Sequence, residues 1–206
     1  MNGAGKSSLG GAVMRAAGAD YFNPDEAAGR MREADPGLTG AEANAAAWQA
    51  GKRLLTRAVD ERLDFAFETT LGGRTIPALL ARAASLGFDV PVWYVGLSSP
   101  ELHLARVRAR VAAGGHDIPE EDIRRRWETS RLNLIRLLPA LSELRLHDNS
   151  RDADPRSGVA PLPVLVLHVK RRKIVAPDDL TATPEWAKPL VASALRLDPR
   201  ARSRPA

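Results

Sequence analysis

Short apolar runs alternate along the chain with stretches of helical period, the pattern of an α/β protein. A first helical pattern opens at Lys6-Ser7-Ser8 and carries Leu9, Val13 and Met14. Asp20-Tyr21-Phe22-Asn23 is a short extended piece stopped by Pro24, and Asn23-Pro24-Asp25-Glu26 also reads as a helix start with Asn23 as cap. Between Ala41 and Leu63, the positions Trp48, Leu55, Val59 and Leu63 form one helical stripe. Phe65-Ala66-Phe67 predicts a buried strand, and Ile76, Leu79, Leu80 and Ala83 mark a helix closed by Gly87. Val90 to Leu97, the longest apolar run, predicts a central strand.

Ser98-Ser99-Pro100-Glu101 then supplies a hydroxyl cap and a first-turn proline for a helix that runs to Gly114-Gly115. A further helix begins at Pro119 and continues to Leu138, and Leu144 to His147 is a strand entering Asp148-Asn149-Ser150. Val164 to Val175, broken at Lys170-Arg171-Arg172-Lys173, predicts a hairpin. After Pro177 the chain is rich in Pro and Arg, with one weak helix from Trp186 to Leu195 and a disordered end. The expected organisation is one domain over residues 1–176 with a lid at 112–130, followed by a C-terminal helix and tail over 177–206.

At 206 residues, with 44% hydrophobic and 27% charged side chains, the chain can bury a sizeable core, which excludes wholesale disorder. No apolar run approaches bilayer length and no apolar signal region opens the chain, so a cytoplasmic protein with no membrane partner is expected. The absence of cysteine removes disulfides, thiolate nucleophiles and Cys-ligated zinc together. A net charge of +5 invites a polyanionic partner. Most of the basic residues are Arg, however, and a solvated Arg-rich surface accounts for the charge equally well, so the motifs must decide.

Gly3-Ala4-Gly5-Lys6-Ser7 matches the last five positions of G-x-x-x-x-G-K-[ST]. Glycines let backbone N–H groups turn inward around phosphate oxygens. Lys6 would reach the β- and γ-phosphates of ATP or GTP, and the Ser7 hydroxyl would ligate Mg²⁺, with Asn2, Gly3, Ala4, Gly5 and Ser8 completing the nucleotide cradle. Ser8 stands where a dinucleotide fingerprint needs its third glycine, which excludes that reading. Counted back from Gly5, the first glycine of the motif and the strand before it would precede Met1, so Met1 is expected to be an internal methionine of a longer native chain.

Other candidates follow along the chain. Asp25 either accepts a proton from an attacking hydroxyl or sits in the first turn of a capped helix. Glu68 ends an apolar strand, where ligand sites of open α/β sheets lie, and Thr69 and Thr70 add hydroxyls. Arg106 and Arg110 share one helix face opposite Leu104, Val107 and Val111, suited to the equatorial oxygens of a transferring phosphoryl group. Gly114 to Pro119 reads as a lid, in which His116 contacts phosphate or, like Asp117, caps the next helix. Arg124, Arg125 and Arg126 point in different directions around that helix, so not all can reach one site; Arg125 or Arg126 completes the clamp. Asn149 bonds an adenine or belongs to a turn after the strand. His103 and His168 have no acidic partner nearby in sequence, which argues against a metal site.

In this order, Asn2-Gly3-Ala4-Gly5-Lys6-Ser7-Ser8, Asn23-Pro24-Asp25-Glu26, Phe67-Glu68-Thr69-Thr70-Leu71, Arg106-Val107, Arg110-Val111, Gly114-Gly115-His116-Asp117-Ile118-Pro119 and Asp148-Asn149-Ser150 resemble the zeta toxin family of P-loop kinases. The resemblance covers Asn2 to Ser150. It implies a P-loop NTPase fold with a mostly parallel sheet flanked by helices, and Mg-dependent phosphorylation of UDP-N-acetylglucosamine or a related sugar nucleotide. It also implies Asp25 as the catalytic acid/base, Glu68 as the substrate-binding acid, a leaning toward Arg110 over Arg106, and an antitoxin protein as a possible partner. The alternatives are a P-loop kinase for another small alcohol, a catalytically inactive nucleotide-binding remnant, and a basic nucleic-acid binder using Arg124 to Arg126 and Lys170 to Lys173. No aromatic platform or helix-turn-helix pattern supports the last.

Overall fold

The computed structural model describes residues 3–5, 21–115, 117–151 and 162–200. These fall into two compact units, residues 21–69 and residues 3–5 with 70–200.

The smaller unit is built on local signals. Strand β1 (Tyr21–Phe22) runs into α1 (Pro24–Ala34), whose cap is Asn23: its Oδ1 accepts from the amides of Asp25 and Glu26. Asn23 Nδ2 donates in turn to Glu26 Oε1 at 3.2 Å. Helix α2 (Gly40–Glu61) opens with a capping box between Thr39 and Glu42. Ala27 and Ala28 of α1 pack on Ala43 and Ala47 of α2, side chains small enough for close helix approach, with Phe22 and Met31 against them. That contact displaces the predicted stripe. Leu55 and Val59 are buried as expected, but Trp48 is 43% exposed and Leu63 45% exposed. The alanines, rather than Trp48, face α1, and Leu63 lies beyond the end of the helix, where Arg62 adopts φ 57°. Strand β2 (Ala66–Phe67) pairs in parallel with β1, Tyr21 opposite Ala66 and Phe22 opposite Phe67.

In the larger unit, α3 (Thr75–Ser85), β3 (Pro91–Gly96), α4 (Pro100–Ala112), α5 (Glu120–Leu137), β4 (Glu143–Asp148), β5 (Val164–Lys170), β6 (Lys173–Ala176) and α6 (Lys188–Leu197) follow in order. The sheet order is β3-β4-β5-β6. β3 and β4 are parallel, whereas β4–β5 and β5–β6 are antiparallel. The sheet is therefore mixed, not mostly parallel as the resemblance implied. The hairpin at Arg171-Arg172 accounts for part of this, since a two-residue turn can only join antiparallel strands. Among the described residues, the run predicted as a central strand stands at one end of the four-stranded sheet, beside β4. Its residues are nonetheless deeply buried, with Val95 at 2% and Leu97 at 0% exposure.

Helix α6 belongs to the core. Leu190 and Ala194 are fully buried, and Trp186, in the turn before α6, lies against Tyr94 with ring centroids 6.5 Å apart. Gly96 makes this possible, since a Cβ there would stand 2.2 Å from the indole. Burial pushes the Tyr94 phenol up to about 12, and its hydroxyl pairs with Ser130 at 2.9 Å. After α6, Asp198 accepts from the amide of Ile174 and from Arg200, and the guanidinium holds its carboxyl well below the usual range. Among the described residues no helix is long and apolar enough to cross a membrane.

Candidate active site

Gly3 and Gly5 adopt φ +67° and +79° on either side of a fully buried Ala4. L side chains resist that backbone, which gives the two glycines of the motif a physical reason. The turn is held from the far end of the sequence. Asn149 Nδ2 donates to the Ala4 carbonyl at 2.9 Å, and a Cβ on Gly5 would come within 2.7 Å of that nitrogen. Asn149 itself is fixed after β4 by its amide, which donates to the Gly96 carbonyl at 3.0 Å. Its carboxamide thus engages the loop backbone, a partner the sequence reading did not consider. The predicted Asn2, Lys6, Ser7 and Ser8 lie outside the described residues.

Arg106 has a similar placement. Its guanidinium donates to the Arg151 carbonyl at 3.1 Å, and its Cβ lies 3.4 Å from where a Cβ on Gly3 would be. Arg110 occupies the last turn of α4, where Gly114 and Gly115 close the helix: their amides donate to Val111 and Arg110 at 2.9 Å each. This is the Schellman arrangement, with Gly114 at φ +89°. Gly115 lies on the Arg110 stem, so the paired glycines that open the predicted lid have a definite capping duty. Asp117 Oδ1 accepts from the Ile118 amide, and Ile118 is buried with Leu104, Val107 and Ile123. His116 lies outside the described residues.

The three arginines of α5 separate clearly. Arg124 pairs with Glu101 and Glu120 on an exposed face, and Arg125 pairs with Asp122 while remaining 62% exposed. Arg126 is less exposed, at 29%, and its stem lies on Gly72. Of the three, Arg126 is the one seated on the loop after Thr70.

In the smaller unit, Glu68 directly follows the end of β2, and Asp25 lies in the first turn of α1 just past the end of β1. Both strands end in the same direction, and the Glu68 amide donates to the Phe22 carbonyl at 2.9 Å. Glu68 Oε2 accepts from the Tyr21 hydroxyl at 2.7 Å, a partner the sequence reading missed. The available signal was that Tyr21 precedes the Asn23 cap by two residues, which puts it opposite the second strand once the two strands pair in parallel. Asp25 is an exposed residue in the first turn of α1, where its amide donates to the Asn23 cap. Thr69 follows Glu68 and is half-buried.

His168 also acquires the acidic partner that its sequence neighbourhood lacks. Arg145 stands opposite it across β4–β5, and His168 Nε2 meets Glu143 Oε1 at 2.8 Å. Among the described residues no cluster of three or more His, Cys, Asp or Glu could hold a metal ion.

A stretch of 70 residues is 37% identical to an uncharacterized protein of Haemophilus influenzae, covering 34% of this chain and 50% of that protein. The chain therefore spans half the length of that relative. No protein-family model and no solved structure matches the chain.

Proposed function

We propose that the protein is a P-loop phosphotransferase of the zeta toxin kind, acting with Mg²⁺ on ATP or GTP and on a hydroxyl of UDP-N-acetylglucosamine or a related sugar nucleotide. The observation that carries this reading is the Gly3–Gly5 turn, with two positive φ angles and a buried carbonyl clamped by Asn149, directly ahead of Lys6-Ser7. A turn of that kind presents backbone N–H groups to an anion. The nucleotide supplies the phosphoryl group to be transferred.

The chain's own residues supply the rest. Lys6 and the amides of the turn bind phosphate oxygens, and Ser7 holds the cation. The Asp25 carboxylate takes the proton from the acceptor hydroxyl. Glu68, oriented by Tyr21, accepts hydrogen bonds from the acceptor. Arg110 donates to the transferring group. The setting of this reading is cytoplasmic, with an antitoxin as a possible protein partner.

The test is mass-spectrometric detection of phosphate transfer from Mg-ATP to UDP-N-acetylglucosamine. The expected result is a singly phosphorylated product with the wild-type chain and none with Lys6→Ala. Equal product from both proteins would refute the phosphate-loop assignment. Transfer to a simple sugar or antibiotic alcohol alone would keep the kinase and replace the acceptor.

A further inference from the structure

Directly after Glu68-Thr69-Thr70 the chain makes a turn that is costly in itself. Leu71 is buried, at 4% exposure, with φ +57°, a left-handed conformation that an L side chain other than Asn or Asp rarely adopts. A backbone held there persists only where its surroundings over-determine it, and such positions concentrate at ligand clamps and active sites.

The over-determination comes from α5. Asn133, 9% exposed, donates from Nδ2 to both the Leu71 and the Gly73 carbonyls, each at 2.8 Å, so the two protons of its amide are both used. One turn earlier, the Thr129 hydroxyl lies 2.9 Å from the Gly72 carbonyl and 2.9 Å from the Arg125 carbonyl, sharing its single proton between the loop and its own helix. One turn earlier still, Arg126 lays its stem on Gly72, where a Cβ would come within 2.8 Å of Cγ. Three consecutive carbonyls of the loop are thus tied to one face of α5 by Asn133 and Thr129, with the stem of Arg126 packed on Gly72 beside them. That helix also carries the arginine cluster in its first half.

We infer that Asn133, assisted by Thr129, is a positioning residue that holds Leu71–Gly73 in the shape in which this loop meets the acceptor. The inference rests on the phosphotransferase reading for the identity of the acceptor, but not for the pinning itself. A purely structural Asn133 would affect both substrates alike, or neither. A positioning Asn133 affects the acceptor and spares the nucleotide.

The experiment compares wild type, Asn133→Ala and Thr129→Val. Amide hydrogen exchange at residues 70–73 is measured beside steady-state transfer from Mg-ATP to UDP-N-acetylglucosamine as the probe acceptor. In Asn133→Ala, exchange at 70–73 is expected to quicken about tenfold and the KM for the acceptor to rise about tenfold, with the KM for Mg-ATP unchanged, the effect of losing the two bonds Asn133 makes to the loop, each of modest net worth. If Asn133→Ala does not fold, Thr129→Val carries the same readouts with a smaller expected change. Unchanged exchange at 70–73, quickening spread evenly over the sheet, or equal rises in both KM values would each overturn the inference. If the wild type transfers nothing to the probe, the phosphotransferase reading fails separately, and exchange at 70–73 alone decides the pinning.

Discussion

The two units of this protein are held in shape by different means. In the smaller one, residues 21–69, the helix starts are set by bonds short in sequence, Asn23 with Asp25 and Glu26 and Thr39 with Glu42, and its two strands are tied across by Glu68 to Phe22 and Tyr21. Where its two helices meet, the core is a layer of alanines, and each strand of its sheet is two residues long. In the larger one, the loops are set by side chains from distant elements: Asn149 on Ala4, Asn133 on Leu71 and Gly73, Asp198 on Ile174. Its core is built from large side chains around Trp186 and Tyr94. The contrast teaches where each unit is sensitive. The smaller unit depends on its caps, and the larger on buried volume and on a few amides aimed at backbone carbonyls.

The largest expected effect tests the buried-volume half of that contrast. Trp186→Ala should destabilise the protein by about 3–5 kcal/mol in urea unfolding, through lost burial and a cavity against Tyr94 and Gly96. Trp48→Ala, at a 43% exposed site on α2, should cost well under half as much. Similar losses at the two tryptophans would erase the distinction.

Tyr94 offers the next. Its phenol is raised from its ordinary value to about 12 by burial, so the protonated form is favoured in the folded state. Its contribution is fully present below pH 10 and is lost as the pH climbs from the unfolded value toward 12. A shift of this size corresponds to about 3 kcal/mol, readable as a steep alkaline fall in stability that Tyr94→Phe should flatten. An alkaline limb identical in wild type and Tyr94→Phe would assign that fall elsewhere.

The smallest is Thr39→Ala, which removes one half of the α2 capping box and should cost about 1 kcal/mol. Circular dichroism melting should register this as a lower midpoint, and an unchanged midpoint would show that the smaller unit does not rest on its caps.

These differences also explain what the amino-acid sequence discloses. Elements whose ends are written locally were legible: Asn23 before Pro24, Ser99 before Pro100, Gly87 after Ser85, and Lys170 to Lys173 between two apolar runs. The stripe of α2 was misread because large side chains drew the pattern while Ala43 and Ala47 make the contact. Among the candidate residues, the Gly-rich turn and the place of Glu68 just after its strand could be found from residue type and spacing. The residues that hold those loops could not, since Asn149 acts on a carbonyl 145 positions away and Asn133 on one 62 positions away. An asparagine on the buried side of a helix is the one visible sign of such a clamp, and Asn133 carried it.

The most direct test of the account is calorimetric titration of Mg-ATP into the wild type, Lys6→Ala and Asn149→Ala, with far-UV circular dichroism to confirm that each is folded. Saturable binding is expected for the wild type, loss of binding for Lys6→Ala, and affinity weakened about tenfold for Asn149→Ala, the effect of releasing one carbonyl of the turn. A wild type that binds no nucleotide, or an Asn149→Ala protein that binds as tightly as the wild type, would contradict the account.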